Sequence, residues 1–191
     1  RSNRAARFHV STKIRSAISR SFRAPTFNDL YWPDDGWTKG NQNLKPEKGI
    51  TGEMGIERDI TRQLTSGLTY YHSQFKQMIA WTETNWVWSP NNIGSAQING
   101  IELTNRISFN ENYSAIVNYS WMHAKDNRTK KYLIYQPNNK ADVSLKYTND
   151  GAGVMIELNG HYTDRRFHDA ANATYVKRFF VFGLSASKKI N

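Results

Sequence analysis

The sequence predicts an all-β protein, a transmembrane antiparallel β-barrel wall of about eight strands. Three observations carry this. Segments of about ten residues alternate apolar with polar side chains, which is the period of a strand and not of a helix. Tight joints at Asp59–Gln63, Asn110–Asn112 and Asn149–Gly151 take turns with long ones at Ser21–Lys48, Ala80–Ile98, Lys125–Asn139 and Asp164–Thr174. Small turns at one rim and large loops at the other are barrel wiring. Finally, 10 Tyr, 9 Phe and 6 Trp accompany a hydrophobic content of only 38%. That balance suits a wall whose two faces meet different surroundings better than an aliphatic core.

The strands follow in order. The first spans about Phe8–Ser19, with Phe8, Val10, Thr12, Ile14 and Ile18 on one face and His9, Ser11, Lys13 and Arg15 on the other. In the second, about Gly49–Arg58, Met54 and Ile56 oppose Glu53, Gly55 and Glu57. The third, about Leu64–Ile79, sets Leu64, Leu68 and Tyr70 against Thr65, Thr69 and Ser73. The fourth, about Ile98–Phe109, sets Ile101, Leu103, Ile107 and Phe109 against Glu102, Thr104, Arg106 and Ser108. In the fifth, about Tyr113–Ala124, Tyr113, Ala115, Val117, Tyr119 and Trp121 form the apolar set; Ile116 and Met122 interrupt the polar one. The sixth is the cleanest: Ala141, Val143, Leu145 and Tyr147 oppose Asp142, Ser144, Lys146 and Thr148. The seventh sets Val154, Ile156, Leu158 and Tyr162 against Glu157, Asn159, His161 and Thr163. The eighth, about Tyr175–Lys189, carries Phe180, Phe182, Leu184 and Ala186 on one side. Asn, Asp and Gly at the tight joints tolerate the positive φ that hairpin turns require.

Several classes are excluded or disfavoured. No apolar run approaches the ~18 residues of a membrane helix, an absence that says nothing against membrane strands. Cys is absent, so disulfides and thiolate metal sites are excluded. The net charge of +10 comes from basic residues scattered over strands and loops, not from a clustered arm, so no nucleic-acid partner is expected. His161, Asp164, His168 and Asp169 lie close in sequence, but their spacing matches no ligand pattern; they are expected to be solvated, with no metal and no cofactor. No nucleophile context supports catalysis, so the chain is not expected to be an enzyme.

The first long joint carries the strongest motif: Ser21-Phe22-Arg23-Ala24-Pro25-Thr26-Phe27-Asn28-Asp29-Leu30-Tyr31-Trp32, then Gly40-Asn41-Gln42-Asn43-Leu44-Lys45-Pro46-Glu47. Further on come Phe75-Lys76-Gln77-Met78-Ile79 and Asn92-Ile93-Gly94-Ser95-Ala96-Gln97-Ile98-Asn99-Gly100-Ile101-Glu102. Tyr119-Ser120-Trp121 with Ala124 and Asp126, then Pro137 and Arg165, complete the series. Together these resemble the TonB-dependent outer-membrane receptors over essentially the whole chain. The resemblance implies a Gram-negative outer-membrane barrel of 22 strands, of which residues 1–191 would supply about strands 13–20. The family's plug domain, TonB box and last strands are not recognised in this chain. Implied partners are the receptor's own N-terminal plug, the TonB-ExbB-ExbD energising complex, lipid and lipopolysaccharide, and a bulky organometallic or iron-chelate ligand.

Within the motif, Arg23, Pro25, Gly40, Asn41, Leu44, Pro46, Glu47, Gly94, Gly100 and Glu102 are expected to be structural. Pro25 and Pro46 restrain the loop base and Gly40 permits a sharp turn. Arg15, Glu53, Glu57 and Arg106 fall on inner faces and are expected to line the lumen. Aromatic residues in long loops offer rigid contact area for a bulky ligand. Trp81, Trp86 and Trp88 lead, followed by Trp37, Tyr132 and Tyr135; Trp32 and Tyr31 suit an interfacial belt. The expected function is active uptake of a scarce, bulky nutrient. The run Thr26–Tyr31 looks most like the cobalamin-receptor branch. Ferric-siderophore or haem uptake, a passive porin-like channel and a soluble all-β binding module are the alternatives.

Overall fold

The computed structural model describes residues 10–189, so Phe8 and His9 lie outside the described residues. Eight strands form one antiparallel sheet: β1 (Thr12–Arg23), β2 (Glu47–Asp59), β3 (Leu64–Lys76), β6 (Ser95–Ser108), β7 (Tyr113–Asp126), β8 (Asn139–Asn149), β9 (Val154–Thr163) and β12 (Phe179–Lys188). They lie side by side in chain order, with β1 and β12 as the two edges. Four short strands sit in the long connections. β4 (Ile79–Thr84) pairs with β5 (Val87–Asn92), and β10 (Arg166–Phe167) with β11 (Tyr175–Val176).

Several boundaries differ from the sequence expectation. Ser21–Arg23 and Glu47–Lys48, expected in a loop, continue β1 and β2, because Arg23 and Glu47 are partners in the ladder. The third strand stops at Lys76 rather than Ile79, since Gln77 takes φ 57°. The joint expected at Ala80–Ile98 is mostly the β4–β5 hairpin, turned at Asn85 (φ 52°) and Trp86 (φ 66°). Both turn residues are left-handed, as a two-residue hairpin turn of this hand demands. The eighth strand divides, Tyr175–Val176 joining the loop sheet and the wall resuming at Phe179. One short helix among the described residues, α1 (Phe27–Tyr31), was not expected.

The registers of all seven wall ladders run without a bulge. One parity therefore governs each strand from end to end. On one face stand Ile14, Met54, Leu68, Ile101, Tyr119, Val143, Leu158 and Phe182, all exposed or half-exposed. Ile18 is 81% exposed and Phe22 78%, values that water would penalise and hydrocarbon would not. The opposite face holds every carboxylate of the wall: Glu47, Glu53, Glu57, Asp59, Glu102, Asp126, Asp142 and Glu157. Its basic groups answer them. Arg106 meets Glu57 at 2.9 Å and Lys13 meets it at 3.5 Å, while Arg15 donates to the Thr69 hydroxyl at 3.0 Å.

Buried apolar side chains are few and small, Ala96, Ala115 and Ala124 among them, and no second sheet packs on the wall among the described residues. Among the described residues no two-layer sandwich is formed. Gly100 sits under the ring of Tyr71, its neighbour in the register, where any Cβ would collide with the ring. We expect Gly100→Ala to cost about 1–2 kcal/mol and Tyr71→Ala in the same chain to recover most of it, read from unfolding of the intact barrel.

Candidate functional site: the long-loop rim

The two large loops at the β1–β2 and β3–β6 ends fold as one unit. Its base is the Arg23–Glu47 pair. Arg23 donates twice to the carboxylate, at 2.9 and 2.6 Å, and once to the Ile79 carbonyl at 3.3 Å. Glu47 also accepts the Ile79 amide at 2.6 Å, which ties the hairpin to the first loop. Pro25 and Pro46 flank this clamp in sequence.

Above it, Thr26 caps α1. The Thr26 hydroxyl accepts the Asp29 amide at 3.1 Å, and the Asp29 carboxylate accepts the Thr26 amide at 2.9 Å. This is a capping box with Asp in the third position. The other Asp29 oxygen accepts the Trp81 indole N–H at 3.2 Å, and the Trp81 ring meets Trp32 edge-on at 6.2 Å. Burial would push the Asp29 carboxyl up; the bonds from Thr26 and Trp81, with Arg23 nearby, outweigh it and hold the group below its usual range.

Gly40 turns the chain back against α1, its amide donating to the Trp32 carbonyl at 2.9 Å. Asn41 then reaches the hairpin, its side chain donating to the Pro90 carbonyl at 3.0 Å, and Leu44 is buried behind it. Asn92 joins the far side by accepting the Lys45 amide and donating to the Lys45 and Gln77 carbonyls. Gly94, at φ 127°, returns the chain to β6. The backbones of Trp37 and Trp88 bond at 2.7 Å.

The β7–β8 and β9–β12 loops make a second unit. Asn172 accepts the Tyr132 amide at 2.7 Å, and the Tyr135 amide donates to Phe167 at 2.7 Å. Tyr132 stacks on Phe167 at 5.9 Å and leans on His123 at 5.3 Å. Lys125 lies over the Tyr132 ring at 4.9 Å, and Arg165 over Tyr175 at 5.5 Å. Residues 127–138 carry Arg128, Lys130 and Lys131 and no carboxylate. Arg165, Arg166, Lys177 and Arg178 add further positive charge in the last loop.

Asp169 shapes that last loop, accepting the amides of Ala173 and Thr174 and the Thr174 hydroxyl. These bonds, the Thr174 hydroxyl foremost, lower its carboxyl to about 2. A group so depressed stabilises the loop fully above its unfolded value near 3.9 and loses the effect as pH falls through about 2. Pepsin should therefore cut residues 165–178 of the intact receptor slowly at pH 4 and readily below pH 2. Asp169→Asn should be cut readily at both, and equal cutting of the native loop at both would refute the assignment.

The rim gathers the aromatic residues expected there but gives them different duties. Trp81 spends its N–H on Asp29 and packs in the loop base. Trp86 stands at the hairpin tip, 79% exposed, and Trp37 is 72% exposed. Trp88 and Tyr135 are also exposed, while Tyr132 is drawn to His123. Glu53 and Glu102 stay down in the wall, opposite Tyr71 and Thr69. Asp29, Asn92 and Asn172 hold the loops and were missed by sequence reasoning. For Asp29 the signal was present, a Thr three positions before an acid. His161 and Asp164 serve the wall end, bonding to Asp142 and Asn139, and no cluster of metal-ligating side chains forms among the described residues.

A family described as "TonB dependent receptor-like, beta-barrel" matches residues 6–191. The chain belongs to that family. Its place is therefore in a receptor barrel of the Gram-negative outer membrane. Vitamin B12 transporter BtuB of Photobacterium profundum is 33% identical over 92% of the chain and 28% of that protein's length. BtuB of Vibrio vulnificus is 30% identical over 92% of the chain and 27% of its own length. The iron-regulated outer membrane virulence protein of Vibrio cholerae is 25% identical over 76% of the chain and 26% of its own length. The chain thus spans under a third of the curated relatives it matches. Among solved structures, the copper transporter OprC superposes with TM-score 0.76 at 16% identity, over 94% of this chain and 29% of that one. The ferric enterobactin receptor PfeA gives 0.75 at 18%, over 94% and 31%. Both likenesses are of fold.

Proposed function

We propose that this TonB-dependent receptor segment is part of the wall and outer vestibule of an energised importer for a bulky metal chelate. In this reading residues 1–191 supply about strands 13–20 of a 22-stranded barrel, and β1 and β12 pair with the parent's remaining strands. The face bearing Arg15, Glu53, Glu57 and Arg106 lines the lumen against the plug, and TonB-ExbB-ExbD supplies the energy. Trp86, Trp37, Trp88 and Tyr135 meet the ligand, with Trp81 and Tyr132 behind them as supports.

Ligand class rests on the basic third and fourth loops. Cations beside aromatic rings attract an anionic, ring-bearing chelate, so a ferric siderophore is the reading the geometry supports best. Cobalamin, the first choice from sequence, is kept as the second reading because the P. profundum and V. vulnificus relatives are named as vitamin B12 transporters. Titration of the intact receptor with a ferric catecholate and with cyanocobalamin separates the two. Saturable binding of the ferric chelate is expected. Binding of cyanocobalamin alone would overturn the choice, and uptake independent of TonB would reduce the protein to a passive channel. Trp86→Ala should weaken chelate binding about tenfold with the barrel's thermal unfolding unchanged.

A further inference from the structure

Between α1 and the β4–β5 hairpin lies a pocket of about 430 Å3, lined by Thr26, Asn28, Asp29, Trp32, Thr38 and Trp81. None of the six is basic. Asp29 alone among them is buried, and it meets no cation at ion-pair distance among the described residues. Arg23 acts on it from farther away and spends two bonds on Glu47. The Asp29 carboxylate takes three bonds, from the Thr26 amide, the Thr26 hydroxyl and the Trp81 indole. An ionised carboxylate offers about four acceptor sites, so one stays open. All three donors are neutral, and a buried negative charge held by neutral donors still lacks a counter-ion.

The walls of the pocket suit the missing charge. Trp32 and Trp81 meet at 85°. An edge-on pair covers one face of one ring and leaves the others clear, and Trp32 is 41% exposed. Indole offers the best aromatic face for a cation. An anion placed here would meet the Asp29 charge with nothing basic to offset it. A calcium-like metal ion wants six or more oxygens, and one carboxylate with three bonds already made does not supply them. The volume is that of a site for a small organic molecule.

We infer that this pocket binds an organic ammonium group, with Trp32 and Trp81 facing the cation and Asp29 supplying the counter-charge. The ammonium belongs either to a free amine or to an amine arm on the transported chelate. The site itself does not rest on the class of chelate, since the positive loops lie in the other rim unit.

The test uses the intact receptor in mild detergent, with radiolabelled choline as probe in equilibrium dialysis. Choline should bind saturably, about tenfold more tightly than its uncharged carbon isostere 3,3-dimethyl-1-butanol. Asn28→Lys places an ammonium of the protein's own at the pocket and should abolish choline binding, while Asn28→Gln should leave it unchanged. Trp32→Leu should weaken choline about tenfold, and Trp32→Phe, which keeps a ring, by less than about threefold. Protease cutting within residues 24–46 should stay at the parental level in all four variants, which separates loss of the site from loss of the loop fold. A ferric catecholate with a trimethylammonium arm, compared with the same chelate lacking it, identifies the source. Tighter binding of the armed chelate to the parent but not to Asn28→Lys assigns the cation to the chelate; equal binding assigns it to a free amine. The inference is overturned if choline does not saturate, if the isostere binds as well, or if Asn28→Lys with its loops intact still binds choline.

Discussion

Replacing Glu47 with Ala should free both loops of the first rim unit at once. The carboxylate takes two bonds from Arg23 and one from the Ile79 amide. Its removal leaves the guanidinium with the Ile79 carbonyl alone and the Ile79 N–H without its acceptor. Breaking a fully buried pair costs about 3–5 kcal/mol. The Arg23 side chain is 48% exposed and that of Glu47 18%, so solvent recovers part of this and about 2 kcal/mol is expected. That corresponds to roughly a 30-fold rise in the open population of the loop base, to be measured as protease cutting within residues 24–46 of the intact receptor. Exchanging the two residues, Arg23→Glu with Glu47→Arg, should restore part of the protection. Cutting unchanged by Glu47→Ala would refute the clamp.

Gly40→Ala is expected to cost more locally, because the conflict is with backbone. A Cβ there would lie 2.6 Å from both the Leu30 carbonyl oxygen and the Trp32 amide. Neither can swing aside as a side chain tip would, so α1 must lift off the loop, at about 2–3 kcal/mol. The Gly40 amide, bonded to Trp32 at 2.9 Å, reports this directly through hydrogen exchange. Gly36 is the control. It has φ 86° with open space around its missing Cβ, so Gly36→Ala carries only the backbone penalty of about 1 kcal/mol. Equal exchange in the two variants would argue against close packing at Gly40.

The wall was legible because a strand in a lipid-facing sheet writes its environment into every second residue. Glu53, Glu57, Arg15 and Arg106 were assigned to one face by parity alone, and the register sets the four on the same side of the sheet. Loop contents were not legible in the same way. The duty of Trp81 depends on Asp29, 52 positions earlier, and nothing local announces that bond. Tyr132 and Asn172 meet across 40 positions for the same reason. The β4–β5 hairpin hid because Asn85-Trp86 is not a common turn pair, and Trp86 adopts a left-handed conformation that is costly for a bulky side chain.

The unbroken registers also set an arithmetic on how such a wall can change its length over evolutionary time. One residue inserted in the middle of β2 would swap the faces of everything beyond it, turning Glu53 or Glu57 toward hydrocarbon and Met54 or Ile56 toward water. Two residues would restore parity but shift the ladder against both neighbours. Lengths of the wall strands in relatives should therefore be nearly frozen, with changes in pairs where they occur. The rim loops, which answer to no such parity, are free to vary by any number, and new ligand surfaces can arise there without disturbing the sheet.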